Sequence, residues 1–558
     1  MLSLLSKDRI IAPGGFNRWL VPPASIAIHL CIGSVYAWST FDLPLRRVRG
    51  VVGFSAEDWT VVQVAWIFTI AIVFLGLSAA FAGKWLERVG PRMVGTVAAA
   101  CWGGGFLVGG LGIWLHQLWL LYFGYGVIGG CGLGLGYVSP VSTLIKWFPD
   151  RRGMAAGMAI MGFGGGAIIG APLKDNLIRY FHCEPAFLGS RESAGVRLDQ
   201  DSRTVAAVDG QERLVVVISV EEGKKLPRPA AAGVYLVGSG SSGVAETFIV
   251  LGLVYFLVMV LAAFSYRIPS SGWQPAGWTP PPAQMTHTVG VNEAMKTPQF
   301  WLLWVLLCFN ITAGIGVLSV AKLMLEEIFR PTLPHLVTAK FATTFVLMIG
   351  VFNMLGRFVW SSLSDYLGRK PTYAVYFLLG IPLYLSIPLV AHGESIGPSA
   401  IWLFCFYAAT MLIFTLYGGG FATIPAYLAD LFGAKYVGGI HGRLLTAWST
   451  AGVIGPLVIT TLRERSLQQA VRQVAATVDP RQFESKFGGA LSQLEQLVTA
   501  KTVTLPKLME IAPPGTIDPS ATLYNTTMYA MATLLAIALV ANLLVRPVDP
   551  RHHEQPGN

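Results

Sequence analysis

Charge is what this chain has least of. Only 13% of its residues are Asp, Glu, Lys or Arg, where a soluble protein carries roughly 25%. Apolar residues make up 53% of the 558 positions, and the mean hydropathy is +0.57. A chain of this length with so few charges cannot clothe a globular surface, so lipid must form part of its solvent. Cysteine is scarce too, at six residues. Five of them (Cys31, Cys101, Cys131, Cys308 and Cys405) lie in apolar stretches, and Cys183 lies in a polar one. There is no CxxC and no clustered Cys/His spacing, so neither a disulfide framework nor a structural metal is expected. Paired intramembrane carboxylates and nucleophile motifs are missing as well, which argues against an embedded enzyme. Gly132-x-Gly134-x-Gly136 follows no strand and precedes no GK[ST], so it is no nucleotide loop. No cofactor is expected. The apolar stretch starting at Trp19 is long enough to span and has no small-residue cleavage site, so it reads as a first helix rather than a signal peptide. The net charge of +10 reads as loop charge that sets orientation, not as a nucleic-acid surface.

What is present is a series of apolar runs. A spanning helix needs about 20 residues. That rule gives twelve spans, at 19–42, 60–82, 93–114, 118–146, 152–178, 246–267, 299–324, 340–363, 371–391, 400–429, 437–461 and 522–546. The loops with Lys84, Arg88 and Arg92, with Lys146, Arg151 and Arg152, and with Arg369 and Lys370 fall on one side. The positive-inside rule makes that side cytoplasmic. Both termini join it, as expected for a multi-pass protein of a plasma (inner) membrane. Arg46, Arg47 and Arg49 fall on the opposite side and are left as surface charge.

The chain reads as an N-terminal segment 1–18, a six-helix half 19–268, a linker 269–298, a second half 299–546 and a tail 547–558. Two long polar insertions, 179–245 and 462–521, are expected outside. Leu214–Val220 reads as a strand in the first, and Leu467–Val478 and Phe483–Val498 as amphipathic helices in the second. Pro280, Pro281 and Pro282, with Trp273 and Trp278, mark the linker.

The halves repeat. Glu87 and Asp365 each follow the second helix of their half, with a glycine three later and a basic residue five later. Pro172 lies 24 residues after Phe148, and Pro456 lies 24 after Phe432. The insertions also occupy equivalent places. A duplicated six-helix half is the mark of a rocking transporter with its site near the bilayer midplane.

These residues resemble a known group. Gly83–Arg92 and Ser364–Lys370 are similar to the signature loop of the major facilitator superfamily. Asn17–Pro44 (NRWLVPPASIAIHLCIGSVYAWSTFDLP), Asn353–Lys370 (NMLGRFVWSSLSDYLGRK) and Gly442–Pro456 (GRLLTAWSTAGVIGP) resemble the oxalate/formate antiporter family within it. The likeness covers the helices and not the insertions. It implies an all-α integral membrane protein of major facilitator fold, with twelve transmembrane helices in two pseudo-symmetric halves. It also implies a small organic anion as cargo, moved by antiport or proton-coupled symport, with protons as a candidate second partner.

Arg357 is the sharpest candidate contact. It lies eight residues before Asp365 on the eighth span, or ~12 Å along a helix. In a hydrocarbon core ~30 Å thick that is near the middle. A guanidinium there needs a cavity, a partner or a ligand, and its fork matches a carboxylate. The alternative is an arginine held by backbone carbonyls. The resemblance agrees with ligand contact, since it implies a carboxylate-binding arginine on the eighth helix. It also implies a lysine on the eleventh helix of the oxalate transporter, where this chain has Trp448. One cation beside an indole suits a monocarboxylate better than oxalate, and a dicarboxylate exchanger is the alternative.

His29 and Tyr36 share a face of the first helix with Gly33. Tyr137 on the fourth span, with Tyr417 and Phe421 on the tenth, would wall the cavity. Plain packing is the competing reading for each. Glu87 and Arg88, with Asp365 and Arg369, are expected to form a gate latch between the halves. Lys174 and Asp175 are expected to be solvated. The chain is expected to act as a monomer, as a transporter rather than an enzyme. A membrane sensor that kept the transporter fold is the rival from another class.

Overall fold

A computed structural model describes every residue except 1, 202, 226–229, 280–287, 500–501 and 555–558. The three linker prolines Pro280, Pro281 and Pro282 lie outside the described residues. Among the described residues, twelve helices are long and apolar enough to cross a membrane. They are α1 (Arg18–Ala37), α2 (Val61–Val89), α3 (Pro91–Trp114), α4 (Leu118–Trp147), α5 (Arg152–Phe181), α6 (Val244–Ser265), α7 (Pro298–Phe329), α8 (Ala339–Leu367), α9 (Arg369–Ile396), α10 (Ala400–Phe432), α11 (Val437–Ala475) and α12 (Pro519–Leu544). In hydrocarbon a backbone must satisfy its own polar groups, and continuous helices do so. Their outer faces carry exposed apolar side chains such as Phe81, Leu253, Leu389, Phe404 and Leu457, which only lipid can cover.

The repeat read from the sequence recurs in how the helices begin and end. Thr60 caps α2 by accepting the Gln63 N–H, and Gln63 returns the bond to the Thr60 backbone. Thr338 caps α8 the same way, accepting the Phe341 N–H. Both helices are 29 residues long and stop at a glycine of positive φ, Gly90 at 84° and Gly368 at 85°. With ψ at 166° and 155°, both glycines occupy a region that other residues enter only with strain.

The chain divides into two compact units. The first comprises Met1–Thr297, Pro425–Ser449 and Val548–Asn558, and the second Pro298–Ile424 and Thr450–Pro547. The ends of α10 and α11 nearest the loop that joins them, though in the second half by sequence, therefore pack with the first unit. Within it, Gly83 meets the backbone of Gly438 and Gly439, and Gly442 lies against Ala79. The Ser449 hydroxyl donates to the Ile72 carbonyl at 2.6 Å. Arg152 pairs with Asp430 at 3.0 Å. The core of α3, α4 and α6 is aromatic: Phe106 packs on Trp102, Tyr125 and Phe248 at ring distances of 4.9–5.2 Å.

Between α5 and α6 lies a five-stranded antiparallel sheet of β1 (Phe187–Gly189), β2 (Arg197–Leu198), β3 (Thr204–Val208), β4 (Gln211–Ile218) and β5 (Gly233–Leu236), ordered β1-β5-β4-β3-β2. β4 takes in residues 214–218 of the strand expected at 214–220, and Val220 already begins a short helix. The sheet accounts for the arginines of the first loop. Val52 packs with Val216, Ile218 and Tyr235, and the Gly238 N–H donates to the Arg49 carbonyl at 2.9 Å. The Asp58 carboxylate accepts backbone N–H groups from Arg49, Gly50 and Ser55. Burial pushes that carboxyl above its usual range while these three bonds pull it back. Arg49 pairs with Glu57, Arg46 with Asp42, and Arg47 lies over the Phe54 ring. These arginines belong to a folded loop docked on the sheet, not to loose surface charge. Between α11 and α12 the chain forms short helices, Pro480–Phe487, Leu494–Thr499 and Leu505–Met509, with Phe483, Leu505 and Leu508 buried.

Replacing Gly90 or Gly368 by alanine forces a side chain into the glycine-only region and costs ~1–3 kcal/mol. Thermal unfolding of the purified G90A and G368A proteins will show lowered midpoints, whereas alanine at the exposed, unstrained Gly397 will not.

Candidate functional site

In the first unit, α1 is interrupted. Its α-helical part ends at Gly33 and Ser34–Ala37 continue as a tighter 3-10 turn. Glycines on α1 and α5 let the two backbones touch there. A Cβ on Gly33 would fall 2.2 Å from the Phe163 carbonyl oxygen, and one on Gly166 would fall 2.4 Å from the Gly33 carbonyl carbon. Such contacts are how membrane helices approach closely. The result is an aromatic cluster centred on Tyr137. His29 stands edge-on to it at 5.2 Å, with Phe163 at 5.4 Å, Trp448 at 5.3 Å and His441 at 5.8 Å between ring centres. Phe163 also packs on Tyr36 at 5.0 Å and on Trp448 at 5.2 Å. His29, Tyr137 and Trp448 are fully buried.

Four residues singled out from the sequence (His29, Tyr36, Tyr137 and Trp448) are thus brought together. Two more, Phe163 and His441, were not singled out. Phe163 is hidden in a glycine run that reads as packing. His441 satisfies the criterion that picks out His29, an imidazole inside an apolar span. Just before this site α4 opens into a π-helical stretch, Tyr122–Gly129, a geometry frequent near functional sites.

The second unit holds the other candidates. Arg357 on α8 is fully buried. Its Nε donates to the Asn353 side-chain oxygen at 3.0 Å, one turn back. Its guanidinium carbon lies 5.1 Å from the centre of the Phe421 ring. Gly418 makes room for this: a Cβ there would sit 2.3 Å from the Asn353 carbonyl and 3.2 Å from Arg357 Cγ. Tyr417 and Phe421 stack along α10 at 6.4 Å. Tyr417 borders a small cavity of about 10 Å³ with Asn310, Tyr376, Tyr384 and Leu535, room for roughly one water.

Of the expected latch residues, Glu87, Asp365 and Arg369 each have an ion-pair partner inside their own unit. Glu87 pairs with Lys146 at 2.5 Å, joining α2 to α4, and its backbone carbonyl accepts from Lys7. They border an open cavity of about 650 Å³ with Lys7 and Lys435. Asp365 pairs with Arg369 at 2.7 Å, four residues on, and Arg369 also donates to the Ser364 hydroxyl. Arg88 is exposed.

Lys174 is not solvated. It is fully buried on α5. Its ammonium donates to the carbonyls of Ser34 at 2.7 Å and Ala37 at 3.3 Å, and lies 4.6 Å from the Phe41 ring centre. Asp175 turns away to pair with Arg179. The physical reason is the interruption of α1. Carbonyls at a helix end lack intrahelical partners and carry partial negative charge, and the ammonium caps them. Lys174→Met removes the cap and leaves buried carbonyls short of a donor, at a cost of ~1–3 kcal/mol. A lowered unfolding midpoint and slower uptake by K174M are the expected readings, with Lys174→Arg closer to the parent.

The sequence pattern of the Major Facilitator Superfamily matches residues 15–190 and 229–456. The chain is 26% identical to the oxalate:formate antiporter of Oxalobacter formigenes over 448 residues, covering 79% of this chain and 83% of that one. It is 22% identical to apicoplast pyruvate carrier 1 of Toxoplasma gondii over 507 residues, covering 81% and 83%. Its helices superpose on the transporter FucP in the outward conformation with a TM-score of 0.53 and 12% identity, over 94% of this chain and 98% of that one. A bacterial homologue of the lysosomal transporter Spinster, inward-facing and unoccupied, gives 0.52 and 16%, over 98% and 100%. At those identities the solved structures speak to the fold alone. With the family pattern over most of its length and twelve helices of spanning length, this chain belongs to the major facilitator superfamily, as a multi-pass membrane transporter and not an enzyme.

Proposed function

We propose that this protein is a secondary transporter of a small organic anion, most simply a monocarboxylate, working by alternating access. The observation that carries the reading is Arg357: a guanidinium without exposure, held by the neutral side chain of Asn353 and the face of Phe421. A guanidinium fork receives a carboxylate with two parallel bonds, and burial strengthens that attraction.

The aromatic cluster of the first unit supports a cargo with one charge and a small apolar body. Trp448 occupies the position where the resemblance implies a lysine, and it packs on Phe163 and Tyr137. An indole offers one N–H and apolar area but no second charge. The relatives named as an oxalate:formate antiporter and a pyruvate carrier support small carboxylates as the class. In this reading Arg357 neutralises the carboxylate, while His29, Tyr36, Tyr137, Tyr417, Phe421 and Trp448 shape and polarise its surroundings. Glu87, Arg88, Asp365 and Arg369 serve the gates. The helix ends with Lys84, Arg88, Lys146 and Arg369 face the cytoplasm.

The test is uptake by the full chain in proteoliposomes, with formate, oxalate, lactate, pyruvate and propionate as cargo. Losing one partner of a buried charge pair costs ~2–5 kcal/mol, so Arg357→Ala should lose ~30-fold or more in uptake efficiency and Arg357→Lys less. Normal carboxylate uptake by R357A would overturn the assignment. Loading the vesicles with unlabelled cargo, or imposing a pH gradient, separates exchange from proton symport.

A further inference from the structure

We infer that His441 contacts the cargo directly and selects for a neutral oxygen, hydroxyl or carbonyl, beside the carboxylate. The inference rests on the monocarboxylate reading and goes beyond it by naming a residue and the group that residue reads.

His441 is 1% exposed. Both of its ring nitrogens are buried and, among the described residues, neither has a hydrogen-bond partner. A buried donor or acceptor left without a partner costs ~1–3 kcal/mol, so a leucine or phenylalanine would serve better if the position only needed filling. The ring lies against Tyr137, the same side chain that His29, Phe163 and Trp448 surround. Along α11, His441 and Trp448 are seven residues apart and so share a face. The imidazole is thereby aimed into the aromatic cluster.

The backbone that carries it is held in place. Gly439 and Gly442 flank it, and a Cβ on either would collide, with Val291 at 2.6 Å and with the Ala79 carbonyl at 2.1 Å. Arg443, two residues on, is tied to the Val291 carbonyl and the Asn292 side chain.

A neutral imidazole offers one N–H donor and one acceptor nitrogen. That pair complements a hydroxyl or a carbonyl oxygen. It adds no fixed charge. A site that hydrogen-bonds such an oxygen rejects the analogue lacking it far more strongly than an apolar pocket rejects a missing methylene.

Lactate and propionate differ by the 2-hydroxyl alone, so they are the probes. Reconstituted full-length protein should show a KM for lactate at least ~10-fold below that for propionate. His441→Leu should abolish the preference, bringing the ratio of the lactate and propionate KM values close to one. His441→Gln, which keeps a donor and an acceptor, should retain part of the preference. A general packing defect would move both acids together and lower the unfolding midpoint, so that is read alongside. If H441L is not recovered from membranes, H441Q and H441F decide: preference kept by Gln and lost by Phe supports the role, and preference kept by Phe overturns it. Equal KM values for the two acids in the parent protein would also overturn it while leaving the transport reading intact. A parent that carries none of formate, oxalate, lactate, pyruvate and propionate would refute that reading, and this inference with it.

Discussion

A cation taken out of water must be given something in return, and this chain gives two different answers. Arg357 receives a neutral amide oxygen and the face of a phenyl ring. Lys174 receives two backbone carbonyls where α1 stops being an α-helix. The first arrangement is suited to an exchangeable anion and the second to permanence. Desolvation of a charge is so costly that each answer constrains its surroundings. Asn353 must sit one turn from Arg357 with Gly418 beside it, and α1 must break where Lys174 can reach.

Close approach is the other recurring device. The aromatic cluster around Tyr137 exists because Gly33 and Gly166 let α1 and α5 touch, which sets His29 and Phe163 side by side. On the second unit Gly418 does the same between α10 and α8, and Gly314 gives Tyr417 its place. Large rings therefore stand next to residues with no side chain. The glycines that read as mere packing in the sequence decide where the aromatic groups can be.

The twelve helices were legible because lipid demands long apolar runs, and no other context does. The duplication was legible because Glu87 and Asp365 keep their glycine and basic neighbours, and it recurs as matched caps and terminators on α2 and α8. Much of the candidate cluster was legible because polar or aromatic groups stand out in an apolar helix. Three things were not. The position of Lys174 near the end of an apolar run gives no hint that α1 breaks opposite it. The side-chain partners of Arg46, Arg47 and Arg49 are local, but the loop that holds them docks through Val52 on a sheet more than a hundred residues further on, and no local pattern announces such a contact. The packing of Pro425–Ser449 with the first unit follows from glycine contacts to α2 that are long-range by nature. His441 is a different case, since its signal was in view and equal to that of His29.

The sheet between α5 and α6 has a practical consequence. It is anchored to the first loop through Val52, Arg49 and Gly238, and its strands, the helices on either side of them and that loop all belong to one compact unit. Most of this chain would be hidden by a detergent or lipid belt, which offers image alignment little to hold. A folded feature fixed to a single unit serves as a fiducial. A binder raised against β3 and β4 would mark the orientation of that unit in every particle without touching the residues proposed to meet the cargo.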